Sequence, residues 1–108
     1  MHVLFDQGTP VPLRFVIGSH VVATAFEQGW ATLKNGELLQ AAEDAGFEVM
    51  VTTDTNLKYQ QNLSGRKIAI VVLTSTSWPR IKGVAAAIAL AVGDATAGSY
   101  VEITIPWV

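Results

Sequence analysis

Val49-Met50-Val51-Thr52-Thr53-Asp54 and Ile68-Ala69-Ile70-Val71-Val72-Leu73 decide the fold class. Both are nearly continuous apolar runs rich in β-branched side chains. A strand that is apolar on both faces needs cover on both faces, the situation of a parallel sheet enclosed by helices. Three further runs belong with them, at residues 2–5, 20–25 and 100–105. The last has a different pattern. Tyr100-Val101-Glu102-Ile103-Thr104-Ile105 alternates, so it reads as a half-buried edge strand, and an antiparallel direction stays open for it.

Helical signals fill the intervals. Thr9-Pro10 reads as an N-cap followed by Pro at the first helical position, opening a short helix through Arg14 to Val16. Asn35 is placed to cap residues 36–45, with Leu38, Leu39, Ala42 and Ala45 on one stripe and Gly46 as the stop. Asp54 or Thr55 caps a short helix through Gln61. Ser77 caps the last helix, with Pro79 in its first turn and Ile81, Val84, Ile88 and Val92 spaced by three or four. Residues 26–36 form one long irregular connection. This alternation predicts an α/β domain with a mainly parallel sheet and the first strand central.

The composition bounds the rest. A chain of 108 residues, 50% hydrophobic, suits one domain spanning residues 1–108 with a real core. It has no Cys, so disulfides and thiolate zinc are excluded, and a cytoplasmic setting is expected. Residues 84–92 are the longest apolar run, about half of a membrane span, so no membrane partner is expected. Seven Lys and Arg against nine Asp and Glu exclude a strongly basic nucleic-acid binder. No phosphate-cradling or nucleophile-elbow glycine motif is present. Trp30, Trp78 and Trp107 read as core or interface anchors, and His2 and His20 as surface or sheet-edge residues.

In an open parallel sheet, ligands gather beyond the carboxyl ends of the strands. Asp6 follows the first run, Glu27 the second and Asp54 the third, while Thr74-Ser75-Thr76-Ser77 follow the fourth. Glu37, in the first turn of its helix, can face the same rim. Carboxylates brought together repel unless they share protons or a cation, and Mg²⁺ or Mn²⁺ suits such an all-oxygen set. Each acid also has a plain structural role open to it. Asp54 can cap a helix, Glu37 can complement a helix dipole, Glu27 can be solvated, and Asp6 can hold a turn. Lys58 and Asn56, beside Asp54, can contact phosphates and bases or form a solvated helix face.

Val3-Leu4-Phe5-Asp6-Gln7, Glu27-Gln28-Gly29-Trp30 and Val51-Thr52-Thr53-Asp54-Thr55-Asn56-Leu57 follow one another in an order that resembles the compact PIN-like domains. These are relatives of the PIN ribonucleases that act as toxins in bacterial toxin–antitoxin pairs. The resemblance implies a three-layer sandwich and a metal-dependent endoribonuclease. It implies Asp6, Glu37 and Asp54 as catalytic acids and Asp6, Asp54 and Glu27 as metal ligands. Asn56, Lys58, Ser75 and Thr76 would contact the substrate. Gln7, Asn35, Gly36 and Asn56 stand where the family has acids. That reduced set implies a single Mg²⁺ or Mn²⁺ rather than two. The implied partners are RNA and an antitoxin protein. The alternative is a catalytically impaired binding or assembly module on the same fold. The depleted acids and an apolar face of Ala86, Ala87 and Leu90 favour it, and self-association is expected.

Overall fold

The apolar runs become the strands of one five-stranded sheet in a computed structural model that describes residues 1–18, 20–60 and 62–107. They are β1 (His2–Phe5), β2 (Val21–Thr24), β3 (Val49–Thr52), β4 (Ala69–Leu73) and β5 (Tyr100–Ile103). Their order across the sheet is β2-β1-β3-β4-β5, and every neighbouring pair is parallel. β5 is an edge strand, as its alternation predicts, and it runs parallel to β4 rather than antiparallel. β1 lies inside the sheet, paired on both sides, with β3 at the middle.

Period-two alternation sends neighbouring side chains to opposite faces and so builds two cores. Val3, Phe5, Val49, Val51, Val71 and Leu73 meet Leu13, Ile81, Ile88 and Val92 on one face. Leu4, Met50, Ile70 and Val72 meet Leu38, Leu39, Ala42 and Leu57 on the other. The second face is covered by α1 (Asn35–Asp44) and α2 (Leu57–Gln60). The first is covered by a 3-10 turn at Val11–Phe15, α3 (Trp78–Lys82) and α4 (Ala85–Gly93). All five residues of β4 are buried, the reason its sequence carries no polar position.

Several local expectations are corrected. The first short helix is a 3-10 turn whose cap position is Pro10. Thr9 is pulled inward instead, and its buried hydroxyl donates to the Val51 carbonyl at 2.9 Å. Asn35 lies inside α1, and Lys34 occupies the cap position without a side-chain bond. The expected end of α2 at Gln61 falls outside the described residues. The single long C-terminal helix is two. The Gly83 and Val84 amides bond three residues back, to Arg80 and Ile81, and Val84 leaves the helical region at φ −122°. Glycine's weak helix propensity permits the stop. Ile81 and Ile88, on either side of the break, are both fully buried in one core, each burial contributing about 1.5–3 kcal/mol. No helix among the described residues is long and apolar enough to cross a membrane.

Candidate functional site

A wholly parallel sheet puts the carboxyl ends of all its strands on one rim. Strand order reverses at β1: one connection leads out to β2, the next crosses back to β3. The crevice at such a switch point is where open α/β sheets bind ligands. Asp6 leaves β1 there, and Thr53-Asp54 leave β3 beside it.

Thr52 joins the two acids. It is fully buried, and its hydroxyl donates to Asp6 Oδ2 at 2.7 Å while accepting the Asp54 amide at 3.1 Å. Asp6 Oδ1 accepts the Gln7 amide at 2.7 Å, and the Asp6 amide donates to the Val51 carbonyl at 3.0 Å. The Asp6 carboxylate is therefore oriented from both sides, yet half-exposed at the rim. Gly8 allows the β1 loop to lie against β3, because a Cβ there would overlap the Thr53 hydroxyl. Asp54 Oδ1 accepts the Asn56 amide at 2.9 Å, so Asp54 does hold the turn that opens α2.

Two clefts flank Asp6 and Gln7. One, of about 220 Å³, runs toward Thr9, Val11, Thr24 and Phe26. The other, of about 210 Å³, runs toward Trp30, Leu33 and Lys34. Trp30 packs edge-on against Phe47 at 6.0 Å, and Lys34 brings a cation to the acid-lined cleft.

The remaining acids are spent differently. Glu27 accepts from the two terminal guanidinium nitrogens of Arg14, Nη1 and Nη2, at 3.1 Å each and from the Thr24 amide at 2.9 Å. Arg14 first, then the Thr24 amide, hold its carboxyl below the usual range. Glu27 is thus committed to Arg14 rather than left open beside Asp6. Glu37 is exposed in the first turn of α1, where a carboxylate complements the helix dipole. Among the described residues no three His, Cys, Asp or Glu side chains are placed to hold one metal ion.

Ser75 and Thr76 share the rim beyond β4. Ser75 Oγ accepts the Ser77 amide at 3.0 Å, and Thr76 is exposed. Asn56 is exposed next to Asp54. Lys58 turns toward β5, with Nζ 3.9 Å from Glu102 and 5.8 Å from the centre of the Tyr100 ring. Burial pushes the Tyr100 hydroxyl above its ordinary pKa, against the pull of Lys58.

Thr52, Lys34 and Arg14 escaped sequence reasoning as site residues. Thr52 did carry a signal, a hydroxyl in an otherwise apolar run two residues before Asp54. Arg14 and Lys34 carried none, because their partners are distant in the chain or reach them only through the fold. Comparison with protein-family models, curated proteins and solved structures finds no match.

Proposed function

We propose that this domain is a metal-dependent endoribonuclease of the PIN-like type, using one Mg²⁺ or Mn²⁺ held by Asp6 and Asp54. The observation that carries the reading is the Thr52 hydroxyl, which ties both acidic segments together at the switch point of the sheet. The donor set fits a small hard cation. Mg²⁺ keeps most of its waters and takes one or two carboxylates, so two acids suffice for one ion and are too few for two. When bound, such an ion supplies an acidified water and neutralises charge building on a phosphoryl oxygen.

The chain's own residues have separable tasks. Thr52 and the Gln7 amide orient the Asp6 carboxylate. The Asn56 amide orients that of Asp54. Lys34 lines the cleft next to Asp6 and offers a cation to a phosphodiester. Thr76 and Ser75, on the same rim, are positioned for a neighbouring phosphate.

A second reading, a binding or assembly module without catalysis, is favoured by one observation: both carboxylate oxygens of Glu27 are engaged by Arg14. One experiment separates the two. Structured RNA is incubated with the protein in Mn²⁺ or EDTA, and cleavage and binding are read on the same gels. The nuclease reading expects Mn²⁺-dependent cleavage that Asp6→Asn and Asp54→Asn both abolish. Retarded but intact RNA in every lane establishes the second reading and ends the first.

A further inference from the structure

The two edges of the sheet differ. On β2 the Val21 and Ala25 amides donate inward to Met1 and Phe5. Alternation then turns the backbone groups of Val22 and Thr24 outward. Three of those four groups are filled. Arg14 donates to the Val22 carbonyl at 2.7 Å, Glu27 accepts the Thr24 amide at 2.9 Å, and the Gln28 amide donates to the Thr24 carbonyl at 3.1 Å. The Arg14–Glu27 pair is a plug on an edge that would otherwise recruit another strand.

β5 has no such plug. The Ile70 and Thr74 amides donate to the Ser99 and Ile103 carbonyls, so Val101 and Ile103 face β4 and Tyr100 and Glu102 face outward. Among the described residues, no hydrogen bond reaches the outward backbone groups of Tyr100 or Glu102.

We propose that this edge is a homodimer interface. A second copy adds its β5 antiparallel to the first, across a two-fold axis at Val101, and the two sheets become one. The register is self-complementary. Tyr100 of each copy exchanges both backbone bonds with Glu102 of the other, while Val101 meets Val101 in the close, non-hydrogen-bonded position. Val101 is 40% exposed and becomes covered.

Charge selects a second copy as the occupant. Glu102 falls opposite Tyr100 rather than opposite Glu102, so no like charges face each other. Lys58 already lies beside both Glu102 and the Tyr100 ring, next to the place where the second Glu102 arrives. Tyr100 Oη is buried without a partner among the described residues and gains a carboxylate neighbour on its face of the sheet. Tyr59, 77% exposed beside Lys58, extends the apolar cover.

The test is sedimentation velocity over a concentration series, with far-ultraviolet circular dichroism as the folding control. The wild type is expected to dimerise. Val101→Lys and Val101→Glu each place like charges together at the axis and are expected to sediment as monomers, while their equal mixture dimerises again. Glu102→Pro removes an outward donor and leaves the bonds to β4 in place. It too is expected to be monomeric, and it decides the matter if the Val101 variants fail to fold. A wild type that stays monomeric at every concentration, even if it captures a different protein, overturns the proposal. So does a dimer that survives both Val101→Lys and Glu102→Pro.

Discussion

Thr52→Val removes one oxygen atom from the centre of the rim and keeps the side chain's volume. The lost hydroxyl serves two partners, the Asp6 carboxylate at 2.7 Å and the Asp54 amide at 3.1 Å. A hydrogen bond to a charged group contributes about 1.5–3 kcal/mol, and an amide left unpaired costs about 1–3 kcal/mol. Asp6 and Asp54 are each half-exposed, so water replaces part of both bonds. The lower ends of the ranges then apply, and about 2.5 kcal/mol of destabilisation is expected. For a chain this size that is roughly 10 °C in Tm. Thr52→Ser keeps the oxygen and gives up a buried methyl, about 1 kcal/mol. Urea unfolding followed by tryptophan fluorescence should therefore rank wild type above Thr52→Ser and Thr52→Ser above Thr52→Val, with unchanged slopes. A double-mutant cycle with Asp6→Ala should show coupling of about 1 kcal/mol or more. If Thr52→Val equals the wild type, or exceeds Thr52→Ser, the hydroxyl is not the tie between the two acids.

The other expectations concern acid, metal and a turn. The folded-state pKa of Glu27 is lowered, so its contribution to stability is present above the unfolded value of 4.5 and disappears as pH falls through the folded value. Acid titration of Tm should accordingly be flatter at its low end for Glu27→Gln than for wild type. For the proposed ion, Mn²⁺ at about a hundred times its Kd should stabilise the wild type by roughly 2.7 kcal/mol. Asp54→Asn should abolish that rise while leaving the EDTA melt nearly unchanged, since Asn holds the turn about as well as Asp; identical melts in all four conditions would mean that Asp6 and Asp54 hold no metal ion. Gly98 has φ +77°, and a Cβ there would sit 2.9 Å from the Arg66 carbonyl oxygen. Gly98→Ala should cost at least about 1–2 kcal/mol in thermal or urea unfolding, and a neutral result would mean the turn before β5 rearranges freely.

Much of this domain is written locally. Val49-Met50-Val51 and Ile70-Val71-Val72 are apolar at every position because both faces of inner parallel strands are covered, and periodicity reports that burial directly. Asp6 and Asp54 were legible as rim residues for the same reason: once strands are parallel, whatever follows each strand shares an edge. Partner choice is a different kind of information. Glu27 looked free for an ion until the fold set Arg14 against it, and Lys58 looked available to a phosphate beside Asp54 until β5 arrived with Glu102. The apolar spacing from Ile81 to Val92 suits one long helix, and Gly83 carried too weak a signal to overrule it. The break shows itself only in the backbone, where the Gly83 and Val84 amides bond three residues back and Val84 leaves the helical region. Sequence alone determined the apolar faces of the inner strands and which strand ends bear acids, because those depend on neighbours within a few positions; it did not foresee the buried Thr9 or the exposed Trp107. Tertiary structure decided strand order, the direction of β5, the plugged edge at β2 and the open one at β5. Each of those is a pairing between distant segments, set by which backbone groups and charges find each other in space.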